Sequence, residues 1–492
     1  MKGMVNFTVQ SRAEDFPHYW ETCVGSCHAY TALREDWRAQ VRKAHDELGF
    51  KYVRFHGLFD DDMSVCYENV DFDGNSQGIV YNFVNVDNIV DFLLSIGMKP
   101  FFELGFMPSC LASGDRTFGA YRGNVTLPKD ESLWAELIER FALHLLDRYG
   151  EAEVESWFFE VWNEPNLALF FAGSKQDYFH LYEITARALK RVDDKLRVGG
   201  PATSFNSWIP DMVDFCETNE VPLDFISTHH YPADDPLWKG GVDISEFFKN
   251  GGSEASDYHR GVLRDMALRA RQEAKNYPLY YTEWNSSVMH DDPYAAAFVA
   301  KTLVDNSGLV EGYSYWCVSD IFEEFSQTPG VFHDGFGLQT YQGIEKPAYR
   351  IFEIFHQLGT QRIEVTSSQP DSTVELLAVR DGDDLQLVAY NHNIPGKTID
   401  TQTISVQLPA CIGADNTAGC LERIDDDHAN AKKQWKAMGK PEYPDSRQVK
   451  ELRAASELQN EQVTVSSGKL TFDMPPQSCA FVVIDNCFKS RR

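Results

Sequence analysis

Phe158-Phe159-Glu160-Val161-Trp162-Asn163-Glu164-Pro165-Asn166 reads as a buried strand that stops on a carboxylate. The apolar and aromatic run suits an extended segment covered on both faces, as in a parallel sheet. Proline after Glu164 cannot donate to a ladder and disfavours helix in the residue before it, so the strand ends there. Leu279-Tyr280-Tyr281-Thr282-Glu283-Trp284-Asn285 repeats the pattern further along the chain. Each segment delivers a glutamate to the C-terminal end of a strand.

Outward from these two segments the same alternation continues. Short apolar or β-branched runs at 23–29, 50–56, 99–104, 155–162, 196–200, 224–230, 278–283 and 312–317 read as strands. Between them, 35–48, 86–96, 132–149, 176–192, 207–217, 258–275 and 294–306 carry helical periodicity. In 132–149 the residues Leu133, Leu137, Phe141 and Leu145 form one stripe, and Gly150 follows as a stop signal. Alternating strands and helices predict a parallel sheet of βα units. A doubly wound sheet would also alternate. Eight strands with chemically active residues at their C-terminal ends favour an α/β fold of the closed (β/α)8, or TIM-barrel, kind, whose sites lie at that face.

After about residue 357 the pattern changes. Runs at 385–390, 402–408, 462–465, 470–474 and 480–484 are short and apolar or alternate, and Arg380-Asp381-Gly382-Asp383-Asp384 and Ser466-Ser467-Gly468 mark turns. These predict an additional C-terminal antiparallel β-sandwich. The expected division is a barrel over 22–356 and a sandwich over 357–492. A charged helical insertion near 428–457 interrupts the sandwich, and the N-terminal segment 1–21 joins it through an edge strand at 5–9. The insertion is a candidate oligomer contact, or else a solvated helix. The sandwich is expected to brace the barrel rather than to bind sugar.

Bulk properties remove several functions. The chain has 492 residues and a formal net charge of −29. Such a surface repels phosphate backbones and anionic lipid, which argues against nucleic-acid and membrane partners and mildly favours a small neutral substrate. No apolar run approaches the roughly 18–20 residues of a membrane span. MKGMVNFTVQ has no apolar h-region, so a cytoplasmic protein is expected. Ten cysteines include no CxxC pair, and there is no GxxxxGK[ST] or HExxH motif, so neither a metal nor a cofactor is called for. Cys411 with Cys420, or Cys479 with Cys487, are the pairs an oxidising compartment would allow.

The chemistry lies in the two glutamates. Glycoside cleavage needs one carboxyl to protonate the leaving oxygen and one carboxylate to attack the anomeric carbon or activate water. A lone glutamate at a strand end is usually just solvated; two on separate strands, one in Asn-Glu-Pro and one between Thr282 and Trp284, are harder to explain that way. Other strand ends agree. Arg54 and His56 project from one face of their strand. His229, His230 and Tyr231 close another, and Trp316 closes the last, followed by Ser319-Asp320-Ile321-Phe322-Glu323-Glu324. Aromatic rings suit the apolar faces of sugars, while histidine and carboxylate suit hydroxyls. Individually, Trp316 could be core, His230 a satisfied polar residue and Glu323 loop surface.

On these residues the chain resembles glycoside hydrolase family 39, the group that contains bacterial β-xylosidases and α-L-iduronidases. The resemblance rests on Phe16-Pro17-His18-Tyr19-Trp20-Glu21, Ala32-Leu33-Arg34-Glu35-Asp36-Trp37, Lys51-Tyr52-Val53-Arg54-Phe55-His56-Gly57, the two glutamate segments and 319–324, and it spans nearly the whole chain. The combination is more similar to the β-xylosidase branch than to the iduronidases. It implies a retaining exo-glycosidase that removes β-1,4-linked xylose from the non-reducing end of xylo-oligosaccharides. It implies Glu164 as acid/base, Glu283 as nucleophile, and Asn163 on the sugar 2-hydroxyl. His56, His229, Tyr231 and one of Glu323 or Glu324 are implied to contact the sugar. One departure is visible: Cys27 stands in Gly25-Ser26-Cys27-His28 where glycine is expected, which puts the packing there in question.

In physical terms, Arg54 and the Tyr231 hydroxyl are expected to hold Glu283 ionised, and an apolar surround plus the Glu283 charge to raise the Glu164 pKa. The rivals are other sugar specificities on the same scaffold (α-L-arabinofuranosidase, β-glucosidase, α-L-iduronidase) and, from a different class, a catalytically silent carbohydrate-binding protein.

Overall fold

The eight segments read as strands close into a parallel barrel in the computed structural model, which describes residues 4–240, 242–249, 258–325, 328, 330–409, 415–485 and 487–488. They are β1 (Cys23–His28), β2 (Tyr52–His56), β3 (Lys99–Leu104), β4 (Phe158–Val161), β5 (Arg197–Thr203), β6 (Phe225–His229), β7 (Leu279–Trp284) and β8 (Gly312–Tyr315), paired in chain order with β8 closing on β1. The main boundary shift is at β4. Residues 155–157 form the turn after a short helix, Glu151–Val154, so the strand starts later than its apolar run suggests.

Helices Glu35–Leu48, Val84–Ser95, Glu131–Tyr149, Lys175–Val192, Ile209–Asn219, Val262–Glu273 and Pro293–Asp305 fall where periodicity placed them. Pro347–His356 adds a helix after β8. Local chemistry explains the ends. The Asp130 carboxylate accepts from the Ser132 N–H at the start of Glu131–Tyr149, and Ser174 with Asp177 forms a capping box at the start of Lys175–Val192.

Two-residue alternation stacks the barrel interior in layers. Cys23, Phe101, Phe158 and Phe225 pack together with Tyr52 and Tyr280 at the N-terminal end. Two residues further along these strands come Arg54, Glu103, Glu160, Ser227 and Thr282, all buried. The barrel thus has an aromatic floor and a charged middle, and its mouth lies beyond.

The C-terminal strands differ from the expected antiparallel sandwich in two respects. Nine strands form one closed sheet: Met4–Asp15, Gln361–Ser367, Val374–Asp381, Asp384–Asn391, Ser478–Ile484, Asp415–Ile424, Glu461–Ser466, Lys469–Met474 and Gln402–Gln407, in that order round the ring. Among the described residues every junction is antiparallel except Met4–Asp15 with Gln402–Gln407, which is parallel. The N-terminal strand fills what would otherwise be an open edge, and a covered edge cannot template aggregation.

Two of its strands, Asp384–Asn391 and Ser478–Ile484, are buried on both faces. Leu385, Leu387 and Ala389 point into its own core, while Val388 and Tyr390 join the barrel core, as do Cys479 and Phe481 opposite Ala480 and Val482. Glu375 receives Arg260 at 2.6 Å and Lys301 at 3.0 Å across the same boundary. The insertion forms helices Ala431–Ala437 and Ser446–Ser456, whose Ala431, Trp435, Met438, Val449 and Leu452 pack on Val331, Phe332 and Ile344 after β8. Its apolar side is therefore used within the chain. Cys411 lies outside the described residues, and Cys479 is a free, buried thiol, so Cys479 and Cys487 form no disulfide. Among the described residues no helix is long and apolar enough to cross a membrane.

Candidate active site

Arg54 organises the barrel mouth from below. Its side chain is fully buried, with Nε 2.5 Å from Glu160, Nη1 2.8 Å from Glu283, and Nη2 2.9 Å from the Asn163 Oδ1 and 3.0 Å from Glu103. Burial works against its charge, but Glu160, Glu103 and Glu283 more than offset that and hold the guanidinium above its usual pKa. Glu283, at the end of β7, is held through both oxygens: one accepts from Arg54 and the other from the Tyr231 hydroxyl at 2.7 Å. Tyr231 follows β6, and its own N–H donates to Asp234 at 2.9 Å.

Glu164 reaches the mouth from β4. Its φ of +40° is in the left-handed region, uncommon for a residue with a Cβ, and its N–H donates to the Ala202 carbonyl at 2.9 Å. Strain of this kind persists where the surroundings fix it, and it often marks working sites. One carboxylate oxygen of Glu164, one of Glu283 and a ring nitrogen of His229 all lie within 4.8 Å of one another. His229 Nδ1 is 2.9 Å from Glu164 and 3.6 Å from Glu283.

Burial separates the acid–base properties of these groups. It pushes the Glu164 carboxyl up to about 7, with the Glu103 charge adding and the Ser204 hydroxyl and Arg54 opposing. The apolar surround thus leads, as expected, but the assisting charge is Glu103 rather than Glu283. Burial likewise depresses His56 to about 3 and His229 to about 4, so both rings are neutral near pH 7. Burial raises Glu103 to about 8 and carries Glu324 well above the usual carboxylate range, where the charges of Glu283 and Glu164 add to it.

Above these groups lies a cavity of about 490 Å³ lined by His56, Glu164, Tyr231, Glu283, Asn285, Trp316 and Glu324 among others. Trp316 stands 4.8 Å from His56 between ring centroids. It fits only because residue 25 is glycine: a Cβ there would sit 2.5 Å from the indole ring. Cys27 is accommodated, buried, with its sulfur accepting from the Glu323 N–H at 3.3 Å.

A model of glycosyl hydrolases family 39 matches residues 4–471. The chain belongs to that family. It is 48% identical to a β-xylosidase of Caldicellulosiruptor saccharolyticus over 99% of both chains, and 36% identical to one of Geobacillus stearothermophilus over 90% of this chain and 87% of the other. Its fold matches the crystal structure of a monomeric β-xylosidase from Caulobacter crescentus CB15 with a TM-score of 0.83 at 30% identity, covering 98% of this chain and 99% of that one.

Within this family 39 hydrolase the anticipated residues divide into three groups. Glu164, Glu283, His56, Tyr231, Trp316 and Glu324 share the cavity. Arg54, Asn163 and His229 lie directly behind it. His229 is fully buried and touches the two glutamates. Asn163 keeps a buried Nδ2 with no protein partner, the kind of donor a bound hydroxyl satisfies. Glu323 is drawn away: its carboxylate is 3.6 Å from Arg34 and 3.7 Å from His28, and Glu324 faces the cavity instead. His230 bonds the Tyr313 hydroxyl at 2.6 Å and stacks on Tyr281 in the core.

Sequence reading passed over Glu103, Glu160 and Thr282. For the two glutamates the signal was present: a carboxylate inside an apolar strand, two residues beyond the inward-facing Phe101 or Phe158. Among the described residues a second group, His18, Glu21 and His356, also places three potential cation ligands together. In both groups the ligand atoms are already engaged, since Glu21 accepts from both histidines at 2.8 Å and Glu283 from Arg54.

Proposed function

We propose that the protein is a retaining β-xylosidase that removes β-1,4-linked xylose from the non-reducing end of neutral xylo-oligosaccharides. The observation that carries it is the short gap between the Glu164 and Glu283 carboxylates, with oxygens within 4.8 Å. Retention goes with carboxyl groups about 5–5.5 Å apart, and inversion needs about 6.5–9.5 Å to admit water. Two relatives sharing 48% and 36% identity are β-xylosidases, which supports the choice of sugar.

Hydrogen-bond counting supports the roles. The Thr282 hydroxyl donates to Glu160 at 2.8 Å, which leaves its oxygen to accept from His229 Nε2–H at 3.1 Å. A neutral His229 then has only a lone pair at Nδ1, and Glu164 must bring the proton to their 2.9 Å contact. Glu164 is therefore the resting acid. Glu283, gripped by Arg54 and Tyr231, attacks the anomeric carbon; the bond to the leaving oxygen breaks as Glu164 protonates it. Water then enters, Glu164 takes its proton, and the glycosyl ester to Glu283 breaks with net retention. Asn163 Nδ2 holds the 2-hydroxyl, and His56, Trp316 and Glu324 hold the rest of the ring. The C-terminal strands, read as a flattened β-sandwich, brace the barrel.

The test is release of nitrophenol from 4-nitrophenyl β-D-xyloside, compared with the α-L-arabinofuranoside, β-D-glucoside and α-L-iduronide. The xyloside is expected to have the highest kcat/KM, and proton NMR should show β-xylose forming first. A preference for another glycoside would replace the sugar assignment, and no turnover of any would favour a binding protein.

A further inference from the structure

The cavity has a polar floor and an apolar mouth. His56, Glu164, Glu283 and Asn285 at its base are all buried. The loop after β4, which carries Glu164, continues through Leu167, Leu169 and Phe170, and all three line the cavity. A group that protonates the leaving oxygen must stand on the leaving-group side, so these residues flank whatever departs. The aromatic wall extends beyond them. Phe170 is 4.3 Å from Phe118 between ring centroids, Phe118 is 6.3 Å from Phe325, and Phe325 is 6.3 Å from Phe322. At the rim Leu169 is 49% exposed and Phe325 67%, on two loops that meet at one opening.

Large side chains left in water beside a catalytic pair lower the free energy when something apolar covers them. A second sugar offers one weakly apolar face and several hydroxyls that need partners. Aliphatic Leu167 and Leu169 offer none. We infer that the leaving-group side of the site, lined by Leu167, Leu169, Phe170 and Phe325, selects β-D-xylosides whose aglycone is an apolar alcohol, alkyl or aryl, over those whose aglycone is another sugar. The inference rests on the xylosidase reading and deepens it.

Methyl β-D-xyloside, hexyl β-D-xyloside and xylobiose test this together; the two alkyl xylosides isolate the apolar contact. Their leaving alcohols are nearly equally basic, so bond breaking is matched and only contact along the chain differs. The hexyl compound is expected to show a kcat/KM about tenfold or more above the methyl one, which corresponds to burying only part of the added methylenes. In the double variant Leu169→Ser/Phe325→Ser that ratio should fall to about threefold or less, and xylobiose should be a poorer substrate of the wild type than the hexyl xyloside. Equal values for methyl and hexyl, a ratio unchanged in the variant, or xylobiose as a better substrate than the hexyl xyloside, would overturn the inference and leave the xylosidase reading intact. Turnover of neither xyloside would overturn both.

Discussion

Glu164 holds its proton because it is buried and because its neighbours leave it no other role. With the carboxyl pushed up to about 7, the free enzyme loses its acid as pH rises through that value. The protonated form is the competent one, so kcat/KM should fall about tenfold per pH unit above about 7, read from a pH profile on an alkyl xyloside that needs acid assistance. Thr282→Val conserves shape but removes the acceptor for His229 Nε2–H, freeing the ring to place its proton on Nδ1 and favour ionised Glu164. The alkaline limb should then move to lower pH, a change that simple loss of packing would not produce. Glu164→Ala should retain turnover on aryl xylosides with good leaving groups, and azide should accelerate it by attacking the glycosyl ester in place of water, with no base needed, so that the ester bond to Glu283 breaks and β-xylosyl azide forms.

At the level of loops and elements, Lys346 is the fastener. Its ammonium is fully buried, 2.7 Å from Asp291 and 2.7 Å from Asp320, and it donates to the Gly335 carbonyl at 2.8 Å. Asp291 also accepts from the Asp334 N–H at 2.7 Å. One cation therefore ties the loop after β7 to the loop after β8, which together present Asn285, Ser287, Trp316, Glu324 and Phe336 to the cavity. Lys346→Met would leave two carboxylates buried without a counter-charge. Denaturant unfolding should show a loss of about 3–5 kcal/mol, the usual cost of breaking a buried pair from one side, and adding Asp291→Asn and Asp320→Asn should recover part of it. This fastener could not be read from the chain, because the partners sit on separate loops and nothing in the local sequence marks a lysine as buried. The barrel strands could be read, since burial on both faces makes each an apolar run. The choice between Glu323 and Glu324 could not, as adjacent loop residues share a composition and differ only in what Arg34 and His28 happen to face.

For the whole molecule, the barrel and the C-terminal sheet share one apolar boundary. Val388, Tyr390 and Phe481 belong to the barrel core as much as to their own sheet. Unfolding should therefore be a single calorimetric transition. Phe481→Ala should lower it by about 3–5 kcal/mol without splitting it. Closure of that sheet was beyond sequence reading. Its parallel junction pairs Met4–Asp15 with Gln402–Gln407, and alternation within a strand carries no record of a partner so far away.

The measurement that tests this account most directly is mass spectrometry after incubation with 2,4-dinitrophenyl 2-deoxy-2-fluoro-β-D-xyloside, which slows breakdown of a glycosyl ester more than its formation. A single fluoroxylosyl adduct should form and map to Glu283 after proteolysis. An adduct on another residue, or no adduct together with α-xylose as the first product from an ordinary xyloside, would contradict the double-displacement mechanism assigned to Glu164 and Glu283.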